Sequence, residues 1–301
     1  MVKYPVLFET FARVETARVV WDHIKAAQPS VLYFYSNKGR DEKPDEIRRN
    51  EEIRSWVKEI DWECRLHTWF RDEYVDVYTS LKGSKEWALK NEEAVIVIED
   101  DCVTSKAFFQ YCDHFIELYK DDRNVAFISG NNYTGITGWN GDHILTPFAT
   151  KYGMAIWKEK WNRLDFHINY RDISLSDFLR IFKGSFRIGL FFWIWNRMFH
   201  KNVAKTQIYD GVLDLNCYKN GWKAVAPVYN LTQNVGVTGT HSQDPSSPIF
   251  KQQISKIDNY PFTNKKIDYP ENIKFFKYHV INTFGLSAKK ITRFIWKKIF
   301  K

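Results

Sequence analysis

The chain of 301 residues is long enough for one large α/β domain or for two smaller ones. With 44% hydrophobic and 27% charged residues, its composition excludes a disordered, collagen-like or disulfide-scaffold protein. The net charge of +8 resides in residues 272–301, which hold eight Lys and Arg and no Asp or Glu, so the remainder is neutral. This distribution argues against nucleic-acid binding and favours a tether to an anionic membrane surface.

The four cysteines stand at unrelated spacings and form no CxxC pair, which argues against a disulfide framework or a zinc site. A reducing cytosol is therefore the expected compartment. The longest apolar run, residues 188–195, is far shorter than the roughly 20 residues needed to span a bilayer. The first residues also lack a signal-peptide pattern.

Short apolar runs alternate with segments of helical periodicity over the first 130 residues. This alternation predicts an α/β fold with a mainly parallel sheet flanked by helices. The predicted strands are residues 5–8, 31–35, 94–98, 125–130 and 224–228. The predicted helices are residues 15–27, 45–60, 80–90, 105–119 and 206–220.

The pattern changes along the chain and predicts a division into functional parts. Beyond about residue 139 the alternation fades, and regular structure returns near residue 206. We expect a catalytic domain over 1–244, with a nucleotide and metal half (1–138) and an acceptor half (139–244). Residues 245–271, rich in Pro, Ser, Asn and Lys, are typical of an extended linker. Residues 272–301 then form a basic amphipathic tail.

Three consecutive acids, Glu99, Asp100 and Asp101, directly follow the most apolar predicted strand. In open parallel sheets, ligands bind beyond the carboxyl ends of the strands. Carboxylate oxygens there suit Mg²⁺ or Mn²⁺ bound together with a diphosphate. The alternative is that these acids stabilise the N-terminus of a helix.

The order of several segments resembles the nucleotide-sugar-dependent glycosyltransferases of the GT-A fold, whose metal motif closes a central strand. The nearest subgroup is bacterial surface-polysaccharide enzymes, distantly similar to Golgi N-acetylglucosaminyltransferase I. The similarity rests on segment order and spans about residues 5–242. The matching segments are 5–8 with 11–13, 33–37, 84–89, 92–102, 127–132, 152–157, 209–210 and 234–242.

The resemblance implies a role for several residues. Asp101 would bind Mn²⁺ (or Mg²⁺), Asp100 would contact the ribose or the donor sugar, and Glu99 would support both. Arg13 would contact the nucleotide, since its planar fork suits phosphate, although a solvated arginine at a helix start is the alternative. The remaining nucleotide and donor contacts implied are Phe8, Asn37 and Ser84. The chain departs from the family where Asn37 replaces a frequent acid and Ala12 a frequent Asn.

An inverting transfer needs a carboxylate that takes the proton of the acceptor hydroxyl. We predict Asp210, at the start of a helix, for this role, because Asp214 lies one turn further on. Asp210 is otherwise an acid stabilised by the helix dipole, and a retaining mechanism would need no such base. His241, in the closing loop, is a candidate third metal ligand or an ordinary structural histidine.

Aromatic residues predict the acceptor side of the site. Trp139, Tyr152 and Trp157 are candidates for a wall against a sugar, with core packing as the alternative. The basic aromatic segment 178–201 would suit a lipid-linked acceptor, or else forms a buried helix.

Within the tail, apolar residues recur at helical spacing from Phe284 to Ile299 while Lys and Arg take the other faces, which predicts an interfacial helix. A helix docked on the body or on a partner is the alternative.

These features together predict a metal-dependent inverting glycosyltransferase, peripheral on the cytoplasmic face of a bacterial inner membrane. It would transfer a sugar from a nucleotide diphosphate, with UDP implied by the resemblance, to a glycan or lipid-linked glycan in cell-surface polysaccharide synthesis. The alternatives are a nucleotidyltransferase or phosphotransferase on the same fold and a non-catalytic membrane-binding module. The chain has no Walker-type phosphate loop, which argues against the first of these.

Overall fold

The computed structural model describes residues 2–206, 209–236, 250 and 252–284. Within them the chain forms eleven strands and nine α-helices. The strands are β1 Val6–Thr10, β2 Val31–Ser36, β3 Arg65–Phe70, β4 Ala94–Glu99, β5 Cys102–Thr104, β6 Val125–Ser129, β7 His143–Thr146, β8 Met154–Trp157, β9 Lys223–Pro227, β10 Thr232–Asn234 and β11 Lys266–Ile267. The helices are α1 Val14–Ala27, α2 Pro44–Ser55, α3 Val77–Leu89, α4 Ala107–Tyr119, α5 Lys158–Asn162, α6 Leu175–Ile181, α7 Phe186–Thr206, α8 Tyr209–Asn220 and α9 Glu271–Phe284.

Nine of the described strands form one sheet in the order β11-β7-β9-β6-β8-β4-β1-β2-β3. The four strands β4, β1, β2 and β3 are mutually parallel, whereas β8 runs antiparallel to both neighbours, β4 and β6. The predicted α/β class with a mainly parallel sheet is therefore confirmed. Strands β2 and β3 lie on one side of β1, and β4 pairs with the other side of β1. The strand order therefore reverses between β1 and β4.

Helices cover both faces of the sheet, which explains why its central strands are continuously apolar. Alternate residues of β4 point to opposite sides: Ile96 and Ile98 join one buried cluster, and Val95 and Val97 join the other. The first cluster includes the buried sides of α1 and α4, and the second includes α3 and α8. Two cores, one on each side, thus hold the β1 and β4 ends in place.

Sequence patterning missed strand β3 at the edge of the sheet. Its residues are exposed or only partly buried, and polar Arg65 and His67 interrupt any apolar run. Helix α2 ends at Ser55, and the last part of the predicted helix 45–60 is a 3₁₀ turn, Trp56–Glu59. Sequence patterning also missed strand β8, which pairs antiparallel with both of its neighbours.

The C-terminal part of the described chain packs on the body. Helix α9 buries Phe275, Phe276 and Val280 completely or almost so, while Lys274 and Lys277 face solvent. The imidazole Nδ1 of His279 accepts a hydrogen bond of 3.3 Å from the backbone N–H of Tyr133, and burial lowers the pKa of His279 to about 3. Helix α9 is therefore docked on the body.

The segment preceding α9 also contributes to the body where it is described. Tyr260 is buried and its hydroxyl accepts a 2.9 Å hydrogen bond from the Val228 backbone N–H, and Ile267 lies in β11, which pairs with β7. Residues 285–301, which carry most of the predicted interfacial helix, lie outside the described residues.

All four cysteines are free thiols. Among the described helices, none is both long enough and apolar enough to cross a membrane.

Candidate functional site

The point where the strand order reverses, between β1 and β4, is where open α/β sheets bind ligands. The two strands are in register from Val6 opposite Ile96 to Glu9 opposite Glu99. The Asp100 backbone N–H continues this pairing with a 2.9 Å hydrogen bond to the Glu9 carbonyl oxygen. The loop that follows β1 and the acids that follow β4 are thereby brought to one place.

Arg13, the last residue before α1, binds both acids at this place. Its Nη2 lies 2.5 Å from Asp100 Oδ1, and its Nη1 donates to Asp101 Oδ2. Asp100 Oδ2 also accepts a 2.9 Å hydrogen bond from the Phe11 backbone N–H. The side chains of Asp100 and Asp101 are only 2% and 7% exposed, whereas that of Arg13 is 32% exposed. The guanidinium therefore forms the outer layer over two buried carboxylates.

A second buried ion pair lies beside the first. Lys85 Nζ, on α3, lies 2.8 Å and 2.9 Å from the two carboxylate oxygens of Glu9. The Ser84 hydroxyl donates to Glu9 as well. The structure thus places Ser84, a predicted nucleotide contact, against Glu9. Sequence reasoning missed both Glu9 and Lys85, although an acid near the carboxyl end of β1 is a usable signal.

Electrostatics link these groups to the predicted base. Burial raises the pKa of Glu99 well above its usual range, and the charges of Asp101 and Glu9 raise it further. Lys85 lowers the pKa of Glu99, and Asp210 raises it. The negative charge of Asp210 therefore contributes to the raised pKa of Glu99. Asp210 itself stands in the first turn of α8.

Acids outnumber bases in this cluster. Burial raises the pKa of Asp100, and Arg13 partly opposes this rise. Burial disfavours the charged guanidinium, but the charges of Asp100 and Asp101 outweigh it and raise the pKa of Arg13. Five carboxyl groups accompany the two cations Arg13 and Lys85: they belong to Glu9, Glu99, Asp100, Asp101 and Asp210. An added cation would relieve this excess of negative charge.

The carboxylates have the donor chemistry that a divalent cation requires. Among the described residues, no group of three or more His, Cys, Asp or Glu is arranged to hold a metal ion. A Mg²⁺-type ion bound with a nucleotide usually takes only one or two carboxylates and completes its shell with phosphate and water. Asp101 offers one carboxylate of this kind, with its side chain 7% exposed and in contact with Arg13.

A loop closes tightly over Asp101. The Val235 backbone N–H donates a 2.8 Å hydrogen bond to the Asp101 carbonyl oxygen. A Cβ at Gly236 would overlap Asp101 Oδ2 and lie 2.9 Å from Arg13 Nη1. Only a residue without a side chain allows this approach. The predicted ligand His241 lies outside the described residues.

Two predicted nucleotide contacts have structural partners. Asn37 follows β2, is buried, and donates from Nδ2 to the Val75 carbonyl oxygen at 2.8 Å. It therefore ties the loop before α3 to the end of β2. Phe8 is fully buried in β1, where its ring packs on Trp21 and Phe34.

The predicted acceptor aromatics are not brought together as one wall. Trp139 packs near Phe275 of α9, with ring centroids 6.3 Å apart. Trp157 is 6% exposed and lies in the core at the end of β8. Tyr152 is partly buried near the acids, since the pKa of its hydroxyl is raised by burial and by the charge of Asp210.

A further buried ion pair involves α8, one helical turn beyond Asp210. Lys151 Nζ binds Asp214 Oδ1, and both side chains are about 5% exposed or less. Burial raises the pKa of Asp214 to about 6, although Lys151 opposes the rise. The segment 178–201 covers the end of α6, the link 182–185 and most of α7, and its best-buried rings share one cluster with residues of α9: Phe178, Phe182, Phe192 and Trp195.

A cavity of about 1270 Å³ lies on the outer side of α3, away from the carboxylate cluster. Its wall combines residues of β3, α3, α8 and the loop 164–169. The aromatic lining side chains are Trp69, Tyr78, Trp87 and Phe166. The cavity is thus separated from Glu9 by the helix that carries Ser84 and Lys85.

No protein-family model matches the chain, and no curated protein matches its sequence. Solved structures with partial similarity include the mannosyltransferase PcManGT from Pyrobaculum calidifontis in complex with GDP-Man and Mn²⁺. It has 16% identity and a TM-score of 0.36, over 72% of this chain and 69% of the other. HddC from Yersinia pseudotuberculosis has 12% identity and a TM-score of 0.30, over 52% and 78%. A UDP-glucose pyrophosphorylase complexed with UDP-glucose has 10% identity and a TM-score of 0.24, over 48% and 63%. None of them assigns an activity to this chain.

Proposed function

We propose that the protein is a metal-dependent inverting glycosyltransferase. It transfers a sugar from a nucleotide diphosphate, UDP in the first instance, to a glycan or lipid-linked glycan acceptor. One observation carries this proposal: Arg13 from the β1 end and Asp100 and Asp101 from the β4 end meet where the strand order reverses. A cation and buried carboxylates at this point suit a ligand that is anionic and binds with a metal.

The donor is held by residues on both strand ends. Asp101, with Glu99, would hold Mn²⁺ or Mg²⁺, which supplies neutralisation of the charge that develops on the diphosphate leaving group. Arg13 presents a planar pair of N–H donors to the diphosphate. Asp100, fixed by the Phe11 backbone N–H, would contact the ribose or the donor sugar.

Asp210 is the proposed general base. It belongs to α8, a different element from the acids that follow β4, and it is partly exposed. Its carboxylate accepts the proton of the acceptor hydroxyl as that oxygen bonds to the anomeric carbon and the bond to the diphosphate breaks. General-base catalysis of this kind contributes about 10²–10⁴-fold.

The acceptor is proposed to reside at the membrane. Residues 285–301 hold six Lys and Arg and no acid. Each basic residue close to an anionic leaflet contributes about 1 kcal/mol to binding. The location supported by this composition is the cytoplasmic face of the inner membrane, where cell-surface polysaccharide synthesis would supply a lipid-linked acceptor.

The proposal is tested by calorimetric titration of UDP with and without Mn²⁺. We expect Mn²⁺-dependent binding in the wild type and its loss in Asp101→Ala. Asp121→Ala is the matched control, because Asp121 is exposed in the turn after α4. Absence of metal-dependent UDP binding in the wild type would exclude the enzyme function proposed.

The base is tested separately, with a nucleotide sugar identified by screening for Mn²⁺-dependent hydrolysis. Asp210→Asn should reduce transfer or hydrolysis by about 100-fold or more while UDP and Mn²⁺ binding stay close to wild type. Turnover retained in this variant would contradict the role of Asp210. Binding lost together with turnover would place Asp210 in the donor site instead.

A further inference from the structure

The Arg13 guanidinium stands between solvent and the two carboxylates that the proposed metal site uses. The carboxylates are almost completely buried, and Arg13 is the more exposed partner of both ion pairs. Asp101 Oδ2 is additionally approached by the backbone of Gly236, within a loop that leaves no room for a Cβ. The oxygen that a metal ion would need is therefore already in contact with a cation.

We propose that Arg13 is a displaceable cation that makes metal binding depend on the nucleotide, an inference that rests on the function proposed above. Without ligand, Arg13 neutralises Asp100 and Asp101. When a divalent ion arrives with a nucleoside diphosphate, the ion takes over Asp101, and Arg13 transfers its hydrogen bonds from the carboxylates to phosphate oxygens.

Charge balance explains why the two ligands act together. A metal ion alone would have to expel Arg13 from two charge-assisted contacts and leave the guanidinium without an anion, which is unfavourable in a partly buried place. A diphosphate alone would draw Arg13 away from Asp100 and Asp101 and leave both acids uncompensated. With both ligands present, the ion compensates Asp101 and the diphosphate compensates Arg13, while Asp100 keeps the hydrogen bond from the Phe11 backbone N–H.

The local backbone permits this exchange. Arg13 precedes α1 and has non-helical dihedral angles of φ −106° and ψ 70°, so its side chain leaves from the loop after β1 and not from a helical turn. Its side chain is 32% exposed. Asp100 keeps the 2.9 Å hydrogen bond from the Phe11 backbone N–H when Arg13 departs. The loop can therefore stay in place while the guanidinium moves.

The consequence is a coupling between two ligands that is equal in both directions. UDP should strengthen Mn²⁺ binding, and Mn²⁺ should strengthen UDP binding by the same factor. Removal of the Arg13 charge should strengthen Mn²⁺ binding even without UDP, because Mn²⁺ then no longer competes with the guanidinium for Asp101.

The test is a titration of Mn²⁺ alone into the full chain, with free Mn²⁺ measured from its electron paramagnetic resonance signal. We expect Arg13→Gln to bind Mn²⁺ alone about tenfold more tightly than the wild type, within the range of typical coupling factors. Arg13→Lys keeps the positive charge but lacks the planar pair of N–H donors, and its gain in Mn²⁺ affinity should be smaller. Arg18→Gln is the matched control: Arg18 lies in α1, five residues after Arg13, pairs with Glu59, and should leave Mn²⁺ affinity unchanged.

Repeating the titration with UDP separates this inference from the proposed function. If UDP strengthens Mn²⁺ binding in the wild type but neither Arg13 variant binds Mn²⁺ alone more tightly, the inference is overturned and the proposed function stands. If the Arg13 variants gain Mn²⁺ affinity but UDP has no effect on the wild type, Arg13 competes with the metal ion, and it is the proposed function, with UDP as its nucleotide, that fails. Thermal melting shows which variants are folded. If Arg13→Gln is unfolded, the Mn²⁺ affinity of Arg13→Lys is compared with that of the wild type instead.

Discussion

The buried pair of Lys85 and Glu9 provides the sharpest prediction about stability. Both side chains are 2% exposed, and Lys85 Nζ reaches both carboxylate oxygens, at 2.8 Å and 2.9 Å. Lys85→Met would keep most of the apolar stem but leave the Glu9 carboxylate buried beside Glu99. The Ser84 hydroxyl would remain as a neutral donor to Glu9.

The magnitude follows from the loss of one partner in a buried ion pair. Breaking such a pair on one side typically costs about 3–5 kcal/mol, whereas removing both charges is often nearly neutral. We therefore expect Lys85→Met to lower the free energy of unfolding by about 3–5 kcal/mol. In the double variant Lys85→Met with Glu9→Gln, most of this loss should be recovered, because no uncompensated carboxylate remains.

Urea unfolding at pH 7, followed by circular dichroism, measures these free energies. Lys82→Met is the matched control: Lys82 lies on the same helix in a partly exposed pair with Glu86, and such pairs contribute about 0.2–1 kcal/mol. A loss below about 1 kcal/mol for Lys85→Met would refute the reasoning, since it would be no larger than the contribution of an exposed ion pair. A double variant as unstable as the single one would also refute it.

Two further predictions concern Asp214 and the C-terminal segment. Because the pKa of Asp214 is raised to about 6 in the folded protein, above its ordinary value near 3.9, this group's stabilisation is fully present below about pH 4 and is lost as the pH rises through 6. The wild type should accordingly lose about 2 kcal/mol relative to Asp214→Asn between pH 4 and pH 7 in urea unfolding, and a difference independent of pH would contradict this. Truncation after Phe284 keeps α9 and removes six basic residues, so binding to phosphatidylglycerol vesicles should be lost in co-sedimentation while the thermal midpoint changes little. Undiminished vesicle binding would place the membrane contact elsewhere, for example in 178–201.

Much of the fold was predictable because its central elements carry local signals. The apolar run of β4 and the acids behind it are adjacent in sequence, so the strand and its polar end were both recognised. Helices α1, α3 and α4 begin and end within a few residues of their predicted bounds. The edge strand β3 could not be recognised in this way, because an exposed strand lacks an apolar face.

The sequence by itself determined which residue types stand at the strand ends: Arg13 after β1, Glu99 as the last residue of β4, and Asp100 and Asp101 directly after it. Their ionic contacts, the burial of Glu9 with Lys85, and the docking of α9 were decided only by the tertiary structure. The physical reason is that a periodic pattern reports how a residue relates to its neighbours within one element. Charge pairing and helix docking instead depend on groups up to about 150 residues apart, as between Tyr133 and His279, whose proximity arises only when the sheet is assembled.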